Sequence, residues 1–577
     1  MTKTSLLRSA AFGAVLAVGV GAHAQAADKA DCSANCKPIH HHHHKMAPKP
    51  VVESPLVGEV AALKAEVAAL EQRLDASAAS VQSAQAAAAA AQASAQAAQA
   101  SAHNDELAIN QIPGDVNTAV AALPKPKTDA LYIKGVKVTL GGFVAAEAVY
   151  RTRGMGSDFS IPLSGLPYAG TSTKSAHTGE FRETARQSRI SGLVEGDVTP
   201  DIHLSGYGEF DFLGAAQTAN SNESNSYNLR IRHIYTTVDW KSSGLSLLAG
   251  QTWSLATLND NGITPRKEVT PLTIDAQYVP GFVWARQPQV RLTENFGNGF
   301  WAALSVETPQ TNKVDGTAAF NPGVSVAFNQ ASLGGSLFNS ANSYSFNQLP
   351  DVIGKVAFDQ KVGGHHVHLE AFGLYRDFYD RVQTSSSSFH NDNTSGGGGG
   401  FGVIGQIVPG LLDGQVSGLY GKGLGRYGSA QMSDTYAKAD GSLDGITQGM
   451  LLAGLTVHAT PALDIYGYVG GEQAEKSTYK TGSANGGYGN PNFSNLGGCE
   501  SSTVLACNGN TKSVEQATLG FWDKVYTGPF GQFRVGAQYS YSKRDSFSGI
   551  VNNTGPLYGS VKGDDNMLYT SIRYYPF

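Results

Sequence analysis

The stretch from Arg189 to Phe212 reads RISGLVEGDVTPDIHLSGYGEFDF. It divides at Thr199-Pro200-Asp201 into two alternating runs. Ile190, Gly192, Val194, Gly196 and Val198, then Ile202, Leu204, Gly206, Gly208, Phe210 and Phe212, fall on one face. Arg189, Ser191, Glu195 and Asp197, then His203, Ser205, Tyr207, Glu209 and Asp211, fall on the other, with Leu193 the apolar exception. A period of two sends successive side chains to opposite faces of a strand. Soluble sandwiches use strands of about five or six residues. These run about eleven, the length a tilted strand needs to cross a bilayer. The stretch predicts a membrane hairpin.

Working outward, the same unit recurs about sixteen times between Val136 and Phe577, with boundaries good to about two to four residues. Short connections at Thr199-Pro200-Asp201, 241–244, 297–299, 360–364, 409–414, 459–462 and 525–529 alternate with long ones. The long ones lie near 151–186, 214–228, 254–287, 308–350, 379–399, 426–446, 474–512 and 544–564. This alternation puts every short turn at one membrane face and every long loop at the other, the topology of bacterial outer-membrane barrels. The fold class expected is an all-β transmembrane barrel of about 16 antiparallel strands, preceded by an N-terminal α-helical coiled coil. Residues 131–577 form the barrel.

Composition agrees. Charged residues are 15%, and no apolar run after residue 21 is long enough for a membrane helix. Sixty-eight glycines and 24 tyrosines suit tight turns and interfacial aromatic girdles. A net charge of −5 with no basic stripe gives nucleic acid nothing to bind.

Before the barrel, residues 1–24 read as a secretory signal: Lys3 and Arg8, an apolar core from Ala10 to Val20, and Ala22-His23-Ala24 as the cleavage site. Residues 25–55 are a tail holding Cys32, Cys36 and the run His40, His41, His42, His43 and His44. Neighbouring histidines are competent transition-metal ligands, yet nothing here fixes a geometry, so neither a metal nor a cofactor is assigned. Over 56–102, Leu56, Val60, Leu63, Val67, Leu70 and Leu74 continue into Val81, Ala84, Ala88, Ala91, Ala95 and Ala98 at spacings of three and four, with Ser77 the break. That heptad predicts a coiled coil and hence a homo-oligomer. Residues 103–130, with Pro113, Pro124 and Pro126, are a linker.

Within the barrel, Cys499 and Cys507 fall in one long loop, where a local disulfide suits an oxidising compartment. Arginine is the candidate for chemistry in the lumen, because its guanidinium keeps its charge and grips carboxylates, and charged rings set the sign of pore selectivity. With Pro200 centring its hairpin, Arg189 stands opposite Asp211, so its charge is expected to be largely answered. Arg230 and Arg232, on one face of LRIRHIY, are the better candidates. Arg291 shares a face with Gln289 and Thr293. Arg376 shares one with His368 and Glu370, blurred by Phe372 and Leu374. Glu209 and Asp211 are the acidic partners. Arg182, Arg186 and Arg286 are placed in loops or at strand ends. The loop 254–287 carries Leu255, Leu258, Ile263, Leu272, Tyr278, Phe282, Val283 and Trp284, and is expected to fold inward and narrow the pore. No G-x-S-x-G or metalloprotease motif argues for an enzyme.

The order of signal, coiled coil, Pro-containing linker and long barrel resembles the DcaP-like family of trimeric outer-membrane porins. Local matches are ARQSRI at Ala185–Ile190, LRIRH at Leu229–His233 and GQTWS at Gly250–Ser254. The resemblance implies a sixteen-stranded trimeric barrel in the outer membrane of a Gram-negative bacterium. It also implies a periplasmic coiled coil and passive uptake of small anions such as dicarboxylates through an arginine-containing constriction. Arg189, Arg230 and Arg232 lie in the matching segments. Phosphate-selective porins are the second family. Lipids, lipopolysaccharide and small anionic solutes are the partners expected. A structural tether to the cell wall through the coiled coil is the alternative of another class.

Overall fold

The computed structural model describes residues 55–110, 130–170, 174–214, 228–312, 319–328, 344–491, 496, 499, 509–550 and 557–577. The expected signal, the His-rich tail and most of the expected linker lie outside them. The described chain forms two separate units, divided between Leu123 and Pro124.

The first unit contains one helix, α1 (Pro55–Asn110). Alanine, the residue of highest helix propensity, dominates its second half. In its first half Val60, Leu63, Val67 and Leu70 are all exposed on the single chain.

The second unit is a closed antiparallel barrel. Its strands are β1 (Val136–Arg151), β2 (Arg189–Asp197), β3 (Ile202–Gly214), β4 (Asn228–Trp240), β5 (Leu245–Trp253), β6 (Arg286–Gly297), β7 (Phe300–Glu307) and β8 (Asp351–Val362). The wall continues with β9 (His365–Ser385), β10 (Ser388–Val408), β11 (Leu412–Lys422), β12 (Thr447–His458), β13 (Leu463–Ala474), β14 (Thr511–Gly528), β15 (Gly531–Ser546) and β16 (Lys562–Tyr575). Each pairs with the next, and β16 closes on β1 through Val144↔Tyr574 to Arg151↔Met567. Closure leaves no sheet edge, as a bilayer requires. The hairpin centred on Pro200 has the expected register, with Arg189 opposite Asp211.

Burial is inverted relative to a soluble protein. The apolar face of the opening hairpin is exposed, Ile190 at 56% and Leu204 at 40%, while Arg151, Arg291 and Arg376 are among the most deeply buried side chains. Apolar atoms face outward and polar atoms inward, which suits a barrel surrounded by lipid. Phe296, Phe300, Phe358, Tyr526 and Phe530 stand exposed near the short-turn face, where an aromatic girdle belongs.

One long connection is not a loop. Residues 379–399 extend β9 and β10 into a hairpin that turns between Ser385 and Ser388, instead of the expected long connection. The Gly396–Gly400 run lies inside a strand and makes room for rings on its neighbour. A Cβ on Gly400 would meet Phe372 at 2.2 Å, and one on Gly396 would meet Phe378 at 2.4 Å. Cys499 is disulfide-bonded and buried; Cys507 lies outside the described residues.

Candidate functional site

Loop L3 (254–285) folds inward. It leaves β5 and crosses to the far wall, where the backbone N–H of Gly262 donates to Asp359 at 2.8 Å and that of Asn259 to Glu370 at 3.1 Å. Farther round, Leu272 N–H donates to Tyr468 at 3.2 Å, Ile274 N–H to Gln538 at 2.6 Å, and Gly281 N–H to Glu472 at 3.0 Å. Two glycines permit this approach. Gly281 has φ 90°, and a Cβ there would meet the Leu451 carbonyl at 2.1 Å; a Cβ on Gly470 would meet the Pro280 carbonyl at 2.2 Å.

Other loops join it. Phe159, Ile161 and Leu163 of L1 (152–188) and Ala430 and Met432 of L6 (423–446) pack with Ile274, Tyr278 and Phe282 of L3. A second cluster sets Leu255, Ile263 and Val283 of L3 against Ile353, Phe372 and Leu374 of the wall. This explains Phe372 and Leu374 on a nominally wet face. They face inward beside Arg376, and the loops cover them.

The arginines segregate into two groups. On the wall from β2 to β6, Arg230 engages Asp211 with two hydrogen bonds, Nε at 2.9 Å and Nη2 at 2.7 Å. Arg232 donates to Glu209 at 2.5 Å and to Asp211 at 3.3 Å. A β-bulge makes this possible. Glu209 pairs with His233 and Phe210 with Ile231, leaving Arg232 as the extra residue, and a bulge re-aims side chains in this way. Arg189 reaches Glu209 only at 3.9 Å, and its buried Nε has no hydrogen-bond partner among the described residues.

The pairing therefore differs from the one expected. Arg189 stands opposite Asp211 in register, but Arg230 on the other neighbouring strand takes that carboxylate. Of the three, Arg189 has the weakest partner.

Sequence reasoning missed Arg286. The first residue of β6, it stands between two indoles, 4.7 Å from the Trp253 ring and 5.0 Å from that of Trp284. Its Nη1 is buried without a hydrogen-bond partner, and no carboxylate forms an ion pair with it among the described residues. With β6 expected to begin two residues later, Arg286 was grouped with the arginines in loops or at strand ends. The signal available was Trp284-Ala285-Arg286, a cation beside an aromatic ring. Tyr278 of L3 records the resulting field. Burial by itself raises its phenol, yet Arg232, Arg189 and Arg286 outweigh that and hold it below its ordinary value.

The second group is sealed by protein partners. Arg376 has no exposed surface and is paired with Asp351 at 3.3 Å and with Asp434 of L6 at 3.0 Å. Arg291, also buried, donates to Gln289 at 3.0 Å and to the Trp253 carbonyl at 2.7 Å. Lys355 ties Glu370 at 2.8 Å to the L3 backbone at Thr257, 2.7 Å away.

No family model matches the chain, and no curated protein matches it. Among solved structures, the outer-membrane channel DcaP of Acinetobacter baumannii is similar to 77% of this chain and 99% of its own, with 21% identity and a TM-score of 0.51. The barrel has the DcaP fold. OprB of Pseudomonas putida, 9% identical over 76% of this chain and 94% of its own, has a TM-score of 0.43. Salmonella typhi OmpF in complex with daunomycin, 11% identical over 77% and 99%, has a TM-score of 0.41. The resemblance to DcaP-like porins drawn from short motifs thus holds for the fold. It covers the barrel and contributes nothing on α1.

Proposed function

We propose that this DcaP-type barrel is an outer-membrane diffusion porin that prefers small anions, dicarboxylates among them, and that L3 narrows its path. The observation that carries the reading is the charge count where L3 meets β2–β6. Four guanidiniums, Arg189, Arg230, Arg232 and Arg286, face two carboxylates, Glu209 and Asp211, which leaves positive charge in excess. A ring of excess positive charge on a narrow path selects anions. Arg286 and Arg189 are the residues left to contact a passing carboxylate, with Arg230 and Arg232 fixed by their partners. Arg291 and Arg376 act as framework.

The exposed heptad of α1 supports a coiled coil in the periplasm and a homo-oligomer, a trimer in this reading. A tether to the cell wall is the second reading, favoured by the loops packed inside the barrel.

The test is the reversal potential of purified protein in a planar bilayer under a KCl gradient. Anion selectivity that falls in Arg286→Ala and Arg189→Ala supports the proposal. Cation selectivity overturns the arginine argument, and absence of conductance puts the tether first.

A further inference from the structure

Positive charge continues past the constriction along the part of the wall where β16 closes on β1. Phe143 of β1 is the register partner of Arg189, whose guanidinium lies 5.2 Å from its ring. The same ring has the Arg573 guanidinium at 4.8 Å and the Tyr575 ring at 5.1 Å. The Tyr575 ring in turn carries the guanidinium of Arg534, near the short-turn end of β15, at 4.5 Å. Three guanidiniums and two aromatic rings thus run in unbroken contact from the constriction toward the short-turn mouth.

Arg573 is held at the level of L3. It donates to Glu147 through Nε at 2.9 Å and Nη2 at 2.7 Å, and to the Ile274 carbonyl of L3 at 3.2 Å. Glu147 has little left to offer, because Ser571 donates to it at 2.9 Å and Gln187 donates to its other oxygen. Arg534 is placed differently. It is the direct partner of Arg573 in the β15–β16 register, and like charges directly opposite across a strand pair repel. Its Nε donates to Gln532, and neither terminal nitrogen has a carboxylate or hydrogen-bond partner among the described residues. An aromatic ring beside a guanidinium attracts it and fixes its plane without cancelling its charge.

We propose that Arg534, backed by Tyr575 and opposite Arg573, is a second binding station for small carboxylates, on the short-turn side of L3. The inference rests on the reading of the barrel as an anion-preferring porin, and it adds a stop that the constriction does not supply. The two terminal nitrogens of Arg534 form a fork that can take both oxygens of one carboxylate. Gln532 and Tyr575 already orient that fork, so less side-chain freedom is lost when an anion binds. Arg534 is half-buried, so water competes for it and binding stays weak. Weak binding at more than one site suits conduction, because a permeating ion must be held and then released.

The experiment records single channels of the full-length protein in a planar bilayer at constant KCl, with potassium succinate added to one chamber and then, in a second run, to the other. The parent is expected to show succinate block of the KCl current from both sides. Arg534→Ala is expected to raise the half-blocking concentration about tenfold from one chamber, the loss of one charge-assisted contact, and to leave the other unchanged. Arg534→Lys, which keeps the charge without the fork, should fall between them. Should the alanine variant fail to insert, Arg534→Gln decides, with the same one-sided loss expected. Parental block from both chambers in the variant, or equal weakening from both, overturns the station. Reversal potentials from the same channels separate this from the reading it rests on. A cation-selective parent sinks the anion preference, whereas an anion-selective parent whose block ignores Arg534 sinks the station alone.

Discussion

Two sectors of the barrel interior carry the same chemical types and treat them differently. Along β2–β6, guanidiniums outnumber carboxylates and Arg286 is left between two indoles. Along β8–β13, the two buried cations Arg376 and Lys355 are matched and covered: Arg376 by Asp351 and Asp434, and Lys355 by Glu370. The difference is stoichiometry and cover. A charged residue on the inner face becomes framework when a loop brings a carboxylate or carbonyl to it. It is left without a carboxylate when the loop above it, here L3, brings an aromatic ring instead.

The largest effect should come from breaking the sealed sector. Asp351→Asn leaves Arg376 buried with Asp434 as its remaining carboxylate partner, and breaking a buried pair costs about 3–5 kcal/mol. Urea unfolding of the refolded barrel should show this loss, while anion preference in the folded fraction stays close to the parent's.

A pH effect of somewhat smaller size should come from Asp275 in L3. Burial pushes its carboxyl up to about 6, against hydrogen bonds from Ser160 and the Gln277 backbone that pull it down. The unfolded value is about 3.9. Between the two, the folded state binds more protons, so stability should rise as pH falls from about 7 to about 4, by up to ~3 kcal/mol at ~1.36 kcal/mol per pH unit. Asp275→Asn should flatten that slope in unfolding curves measured across the same range.

The available sector should respond in selectivity instead of stability. Arg286→Ala should lower the anion-to-cation permeability ratio on the order of fivefold, since a unit charge at ~4 Å in water is worth ~1 kcal/mol. It should also remove saturation of the current by a dicarboxylate. Arg230→Ala should shift the reversal potential but keep saturation, because its guanidinium already serves Asp211. Loss of saturation in both variants alike would erase the distinction between fixed and available arginines.

The smallest shift sharpens the comparison from the opposite sign. Asp211→Asn removes one carboxylate and frees Arg230, so anion preference should increase, by less than the Arg286→Ala change. A decrease would mean that Asp211 positions the arginines more than it screens them.

Much of this architecture was legible in the chain. Strict short–long alternation located fourteen of the sixteen strands within a few residues, and the apolar content of 254–287 pointed to an inward fold. The missed hairpin extension at 379–399 has a physical cause. Serine, asparagine and glycine carry no alternation, because beyond the bilayer neither face has to meet lipid. The site was less legible. Arg189 was ranked below Arg230 on cross-strand register, which was correct, but a carboxylate has two neighbouring strands and the bulge at Arg232 lies in no local pattern.

The sequence by itself determined that the chain is a membrane barrel, because period-two alternation over bilayer-length strands has one solution in lipid, a closed sheet. It also determined which residues face inward, apart from the shift at the Arg232 bulge. The tertiary structure decided which inward charges are spent on each other and which remain, because that depends on partners brought from strands and loops far apart in the chain: Asp434 on Arg376, Trp284 on Arg286, Arg230 on Asp211. Facing is a local property set by the backbone's two-residue repeat. Neutralisation acts through space over a few ångströms, and the fold alone fixes those distances.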